Sequence, residues 1–212
     1  MSLQVMLLDV WGLVASLLVA VLIYYAGGAL AMEYLALMFV FLICGTFVTV
    51  MGRERKEAMG IYEYGRSWQN VIANGLVPVV ALLLNSPPAY FGALAAIAAD
   101  KFSSEVGALG GEPVFLGNLK RVKRGTSGAV SGLGTVAGFV GAEIIAISAF
   151  VLFPGVALTH ALLLPFAGLF GSGFDSIAGI FETKGLGNKA TSNLAGAIGG
   201  ALVGILIFSL AG

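Results

Sequence analysis

The sequence predicts an all-α fold, a polytopic bundle of about seven transmembrane helices. Of the 212 residues, 58% are hydrophobic and only 10% are charged, whereas soluble domains carry about 25% charged residues. Mean hydropathy is strongly positive, and apolar runs long enough to cross a bilayer as helices recur along the chain. We therefore treat residues 1–212 as a single transmembrane domain.

Seven apolar runs fit membrane spans, with these approximate bounds: 5–26, 29–50, 68–84, 88–104, 127–153, 156–181 and 190–211. Three connections are tight turns marked by glycine or proline, and the other three are longer and polar. The first span has no basic segment before it and no convincing cleavage site. We therefore predict a retained helix rather than a signal peptide.

Basic residues fall only on alternate connections. All eleven lie in or beside the second, fourth and sixth: Arg53, Arg55, Lys56, Arg66, Lys101, Lys120, Arg121, Lys123, Arg124, Lys184 and Lys189. Cytoplasmic loops carry an excess of lysine and arginine. We therefore predict a multi-pass protein of the cell membrane with a cytoplasmic N-terminus, an external C-terminus and an active site that faces the cytoplasm.

Several classes of protein are excluded by simple counts. The net charge is zero, which gives no bulk attraction to nucleic acid. Cys44 is the single cysteine, so neither a disulfide framework nor a cysteine metal site exists. The pattern GxxxxGK[ST] does not occur, and this excludes a P-loop as a nucleotide site.

Acidic residues at the end of the fourth span are the first candidates for function. Asp100 and Ser104 share a helical face, whereas Glu105 lies roughly 140° around the helix from Asp100. Either the helix breaks near Gly107, or the two carboxylates have different partners. Asp100 suits Mg²⁺, which favours one or two carboxylates with phosphate oxygens. The alternative is an ion pair with Lys101 or the basic loop.

Asp175 lies inside the sixth span rather than beyond its end, and Glu182 follows on the same face. Ionisable residues inside a membrane are costly, so they are functional candidates by default. The structural alternative is a hydrogen bond between Asp175 and a hydroxyl on another helix, such as that of Ser131.

The segment from Lys120 to Ser127 is basic and precedes a glycine-rich span. Its side chains, with the N–H groups at the start of the next helix, could bind phosphates, and Thr126 or Ser127 is a plausible N-cap. The alternative is that its charges only anchor the loop. Polar residues also gather at the mouth of the second and third spans, and they include Arg55, Asn70 and Asn74.

Glycines in the fifth and seventh spans recur with the small-xxx-small spacing that lets helices approach closely. The pattern covers Gly134–Gly138 and Gly196–Gly204. We interpret these glycines as packing residues.

Four blocks resemble one known family: ADKFSSEVG at 99–107, KRVKRGTSGAVSGLGTVAGFVGA at 120–142, NVIANG at 70–75 and GSGFDSIAG at 171–179. The family is the integral membrane group that contains the plant phytyl-phosphate kinase of tocopherol synthesis. More distantly, the chain resembles dolichol kinase and phosphatidate cytidylyltransferase. The likeness covers about residues 50–205, where we expect the catalytic part.

The resemblance implies a CTP-dependent kinase that acts on a polyprenyl monophosphate, with Mg²⁺ or another divalent metal as cofactor and CTP as co-substrate. The expected catalytic residues are Asp100, Glu105 and Asp175, of which Asp100 and Asp175 hold the metal. The expected nucleotide-binding residues are Lys120, Arg121, Lys123, Arg124, Gly125, Thr126, Ser127 and Ser131. The expected substrate- or phosphate-binding residues are Arg55, Asn70, Asn74, Ser104 and Asn193.

Two alternatives stay open. One is a cytidylyltransferase that attacks the α-phosphate of CTP and releases pyrophosphate. The other is a secondary transporter in which Asp175 forms an ion site. In the kinase interpretation the partner is a lipid prenyl phosphate in the membrane, no nucleic acid is involved, and a homo-oligomer is compatible with the sequence.

Overall fold

The computed structural model describes residues 7–62, 64–65 and 67–211. Within these residues the chain forms eight α-helices: α1 Val10–Ala26, α2 Ala31–Val50, α3 Arg53–Ala58, α4 Trp68–Leu83, α5 Pro87–Gly107, α6 Gly132–Leu152, α7 Leu158–Glu182 and α8 Lys189–Leu210. Three two-residue strands form an antiparallel sheet of order β2-β1-β3: β1 Val114–Phe115, β2 Lys120–Arg121 and β3 Ala129–Val130. The all-α class is confirmed, with a small sheet added.

Every predicted span overlaps a helix, and among the α-helices of the described residues only α3 was not predicted. The first helix begins at Val10 rather than at residue 5, and residues 5 and 6 lie outside the described residues. In the part of the chain that the structure describes, four segments are long and apolar enough to cross a membrane: Gly28–Val50, Gly132–Leu152, Leu158–Glu182 and Lys189–Leu210. The apolar helices α1 and α4 are shorter, and α5 carries charged residues in its final third. Seven crossings therefore stay a prediction. Arg66, which we counted among the cytoplasmic charges, lies outside the described residues.

Helix α5 is the centre of the bundle. All of its residues from Ala89 to Ala99 are buried, and α2, α4, α6, α7 and α8 pack around it. Small residues make this possible, because a β-carbon on Gly92 would lie 2.9 Å from the Cα of Gly204, and one on Gly138 would lie 3.0 Å from the carbonyl oxygen of Ala99. The predicted role of the spaced glycines in close packing is confirmed.

The start of α6 differs from the prediction. The helix begins at Gly132, and its N-cap is Ser131, whose Oγ accepts a hydrogen bond from the N–H of Gly134 at 3.1 Å. A span from residue 127 and an N-cap at Thr126 or Ser127 are therefore wrong. The reason is that Ala129 and Val130 pair with β1 and hold the backbone extended until Ser131.

Candidate functional site

Two predicted carboxylates meet in a polar cleft of about 350 Å³ among α5, α6, α7 and the loop that precedes α6. Asp100 on α5 and Asp175 on α7 each lie seven residues before the last residue of their helix, or about 10 Å inside the bundle. We call this space the carboxylate cleft. Ser104, Ser131 and Lys189 also line it.

Lys189 contacts both aspartates. Its Nζ lies 3.1 Å from Oδ2 and 3.4 Å from Oδ1 of Asp175, and 3.7 Å from Oδ2 of Asp100. Asp175 is buried, whereas the Lys189 side chain is 52% exposed at the mouth of the cleft. Lys189 begins α8, and the side chain of Asn188 caps this helix by accepting hydrogen bonds from Ala190 and Thr191. The helix start thus fixes the ammonium between two acids.

The donor set suits a metal that is shared with phosphate groups. Asp100 and Asp175 converge on one cation, the ammonium of Lys189. A pair of carboxylates in this position suits Mg²⁺, which binds through one or two carboxylates together with substrate phosphates. Among the described residues no cluster of three or more His, Cys, Asp or Glu side chains is present. A divalent metal in the carboxylate cleft stays a prediction.

The loop Gly125–Gly128 forms part of the wall of the carboxylate cleft. Gly125 and Gly128 have φ of +81° and +75°, a left-handed conformation that glycine adopts without strain. Gly128 lies against α7, because a β-carbon there would be 2.9 Å from the main-chain nitrogen of Ile180. Ser127 Oγ donates a hydrogen bond to Oε2 of Glu182 at 2.8 Å. The GTSG motif is thus a turn fixed onto the end of α7.

Of the four predicted basic residues, the structure brings Arg124 to the cleft. Arg124 is half-buried in its wall, and its Nη2 donates to the carbonyl of Gly111 at 3.2 Å. Lys120 and Arg121 lie on the exposed strand β2, where Arg121 pairs with Glu112 at 2.6 Å. Neither they nor the exposed Lys123 line the cleft.

Glu105 forms ion pairs with Lys56 and Lys101, and these three residues line the second polar cleft described below. Its Oε2 lies 2.6 Å from Nζ of Lys56, and its Oε1 lies 2.6 Å from Nζ of Lys101 and accepts a hydrogen bond from Oγ1 of Thr49 at 2.9 Å. Lys56 is buried and also donates to the carbonyls of Val48 and Thr49 at the end of α2. Helix α5 runs unbroken through Gly107, so Asp100 and Glu105 have different partners, the second of the two alternatives above.

A second polar cleft of about 240 Å³ adjoins the first. Asn70, Asn74 and Asn193 line it, and we call it the asparagine cleft. It shares Asp100, Ser104 and Lys189 with the carboxylate cleft. Oδ1 of Asn193 is buried and accepts no hydrogen bond from the described residues. The exposed Arg55 on α3 lines neither cleft.

Sequence reasoning missed two contributors to this site. Lys189 was counted only as a topology charge, and Glu182 was noted for its helical face without a partner. No signal in the sequence indicates that Glu182 contacts the Gly-Thr-Ser-Gly turn, because Ser127 lies 55 residues away and the contact forms only in the folded chain. For Lys189 no signal separates it from an ordinary positive-inside lysine.

The family model described as "Integral membrane protein DUF92" matches residues 1–196. The chain is 35% identical over 210 residues to an uncharacterised membrane protein of Methanocaldococcus jannaschii, an alignment that covers 95% of this chain and 86% of the relative. It is 29% identical over 208 residues to Protein PGR of Arabidopsis thaliana, and this alignment covers 81% of this chain and 70% of the relative. It is 33% identical over 155 residues to an uncharacterised membrane protein of Synechocystis, and that alignment covers 66% of this chain and 59% of the relative. No solved structure gives a significant match.

Proposed function

The chain belongs to the DUF92 family of integral membrane proteins, and we propose that it is a CTP-dependent kinase of polyprenyl monophosphates. The acceptor is of the phytyl or geranylgeranyl type, and the products are the prenyl diphosphate and CDP. One observation supports the proposal most strongly: Asp100 and Asp175 converge on Lys189 in a polar cleft that the glycine turn Gly125–Gly128 also lines. The choice of CTP and of a prenyl acceptor follows the motif resemblance.

The reaction needs positioning and charge neutralisation more than acid–base chemistry. An oxygen of the prenyl phosphate attacks the γ-phosphorus of CTP, and the bond from that phosphorus to the β–γ bridging oxygen breaks. The bonding electron pair leaves on the oxygen, which becomes a terminal oxygen of CDP. Because the acceptor phosphate is already anionic, no group must remove a proton from it. This accords with phosphoryl transfer in general, where charge stabilisation dominates.

The residues of the carboxylate cleft would bind the nucleotide and the metal. Arg124 and main-chain N–H groups of the Gly125–Gly128 turn would bind the triphosphate, since N–H groups in such turns attract anions. The N–H of Thr126 already donates to the carbonyl of Lys123 at 3.3 Å, so the other N–H groups of the turn would make these contacts. Asp100 and Asp175 would hold Mg²⁺. When bound, the metal would offset the charge on the β- and γ-phosphates. Lys189 offsets the two carboxylates when no nucleotide is present.

The asparagine cleft would take the acceptor phosphate. Asn70, Asn74 and Asn193 have amide N–H groups that can donate to a phosphate beside Asp100, and Lys101 adds a positive charge to the lining of the same cleft. From this position the acceptor phosphate would reach the carboxylate cleft beside Asp100 and Ser104, which line both clefts. We assign Glu105 to the ion-pair cluster that joins α2 to α5, as a structural residue.

Product analysis with two labels tests the proposal. Purified protein in detergent is incubated with geranylgeranyl monophosphate, Mg²⁺ and CTP labelled at either the α- or the γ-phosphorus. A kinase transfers the γ-label to the lipid and converts the α-label to CDP. A cytidylyltransferase instead transfers the α-label to the lipid and releases labelled pyrophosphate from the γ-label. Transfer of neither label to any prenyl monophosphate, with any of the four ribonucleoside triphosphates, would reject both enzymes.

A further inference from the structure

An apolar groove of about 420 Å³ lies between α1, α2 and α4. Its walls include Val19, Ala20, Leu35, Ala36 and Met38. The part lined by α2 extends from Met32 to Leu42, which is about 15 Å of helix at 1.5 Å per residue. A volume of this size is typical of a site for one small molecule.

The groove is continuous with the polar clefts. Phe41, Asn70 and Asn74 line both the groove and the asparagine cleft, and the asparagine cleft in turn shares Asp100 with the carboxylate cleft. An elongated amphiphile can therefore lie with an apolar chain in the groove and a small anionic head beside Asn70 and Asn74. The same path ends at the two aspartates.

We propose that this groove binds the isoprenoid chain of the acceptor, so that the chain's phosphate is presented through the asparagine cleft to Asp100. The assignment rests on the proposed function and adds to it the location of the tail. Lipid is as apolar as the groove, so burial alone gives little preference for either environment. Selectivity must then come from shape, and the small side chains of Ala20 and Ala36 leave the space that a chain would fill.

Filling the groove tests this assignment in the active enzyme. Ala36→Phe and Ala20→Phe project rings into it from α2 and α1. Val21→Phe is the matched control, because Val21 adjoins Ala20 but is 49% exposed and outside the groove. We expect each groove variant to raise KM for geranylgeranyl monophosphate at least about tenfold, the scale on which a pocket resolves small steric differences. KM for CTP should change less than about twofold, because a pocket discriminates only through the groups that line it and neither alanine lines the carboxylate cleft. An equal rise for Val21→Phe would overturn the proposal, as would unchanged lipid kinetics in both groove variants.

Photo-crosslinking separates this assignment from the kinase itself, because it needs no turnover. The probe is geranylgeranyl monophosphate with a diazirine at the tail end, added to the full chain in detergent. We expect adducts on the groove-lining residues of α1 and α2, which unlabelled geranylgeranyl monophosphate competes away and phosphatidylcholine does not, and which decrease in Ala36→Phe.

Adducts confined to α6, α7 or α8 would overturn the groove assignment even if the protein is a kinase. Competition by phosphatidylcholine as strong as that by the prenyl phosphate would assign the groove to bulk lipid and also overturn the proposal. Specific groove adducts in a protein that transfers no label from CTP would support the tail site and reject the kinase.

Discussion

At the scale of single residues, the site depends on charges that lie about 10 Å inside the bundle. Asp100 and Asp175 were predictable, because an acid within or beside an apolar span is costly unless it has a use or a partner. Their shared partner Lys189 was not predictable. A lysine in a cytoplasmic loop already has an explanation in membrane topology, so its sequence position alone does not reveal that its ammonium contacts two carboxylates.

Arg124 differs from the other basic residues of its loop, and this difference gives a prediction. Arg124→Gln should raise KM for CTP about tenfold or more, since it removes a charge-assisted contact to phosphate, while KM for the prenyl phosphate changes little. Lys120→Gln is the control, because Lys120 is exposed on β2 outside the cleft. Steady-state kinetics measures both values. If Arg124→Gln leaves KM for CTP unchanged, as Lys120→Gln should, the loop's charges act only as a membrane anchor.

At the scale of elements, apolar runs predicted the long helices well because each buries a face or meets lipid over its whole length. The fourth connection was predicted less well. Strands of two residues have no periodicity to detect, and the pairing of Ala129 with Phe115 depends on contacts that close only in the folded chain. The helix α3 was missed for a similar reason, since its five charged residues and one alanine carry no apolar pattern.

The packing of the glycine turn against α7 can be tested by adding one methyl group at Gly128. Gly128→Ala forces a left-handed residue to carry a β-carbon, at a cost of roughly 1–2 kcal/mol, and places it 2.9 Å from a main-chain nitrogen of α7. We expect a lower melting temperature and weaker CTP binding by isothermal calorimetry. Gly132→Ala is the control, because its β-carbon would meet nothing within 4 Å. Normal CTP affinity in folded Gly128→Ala would mean that the turn does not bind nucleotide.

The cluster of Lys56, Lys101 and Glu105 joins α2 to α5, and its loss should affect stability first. Glu105→Gln leaves the buried Lys56 ammonium without its carboxylate, and removing one partner of a buried pair costs about 3–5 kcal/mol. The exposed pair of Arg53 and Glu57 provides the control. Glu57→Gln should change the free energy of unfolding by less than about 1 kcal/mol. Equilibrium unfolding in detergent measures this free energy for both variants. A Glu105→Gln protein with unaltered stability and no turnover would instead make Glu105 catalytic.

At the scale of the whole molecule, the charged residues of the two clefts gather at one end of the bundle. This is the end at which α2 and α7 finish and at which α8 begins. The sequence predicted that these residues share a side of the membrane, because all basic residues lie on alternate connections. It did not predict that the apolar groove, the asparagine cleft and the carboxylate cleft share lining residues. These shared residues come from several helices, and only the folded chain brings them together.

The predicted orientation can be tested on the two ends of one helix. In a Cys44→Ser background, Gly155→Cys before α7 and Thr183→Cys after it place thiols at exposed positions. An impermeant maleimide added to intact cells should label the Gly155→Cys protein and spare the Thr183→Cys protein until the cells are opened. The reverse pattern would put the two clefts on the external face, away from cytoplasmic CTP.

The central claim is that Asp100 and Asp175 form one phosphoryl-transfer site, and single-turnover transfer from γ-labelled CTP tests it most directly. Asp100→Asn and Asp175→Asn preserve size, and each leaves the other aspartate beside Lys189, whose side chain is 52% exposed. Both proteins should therefore fold, with a melting temperature close to that of the parent protein. Their transfer rates should nevertheless fall by roughly two orders of magnitude or more, and residual activity should need more Mg²⁺. Glu57→Gln should transfer at the parent rate. A folded Asp175→Asn protein with a near-normal rate would contradict the account.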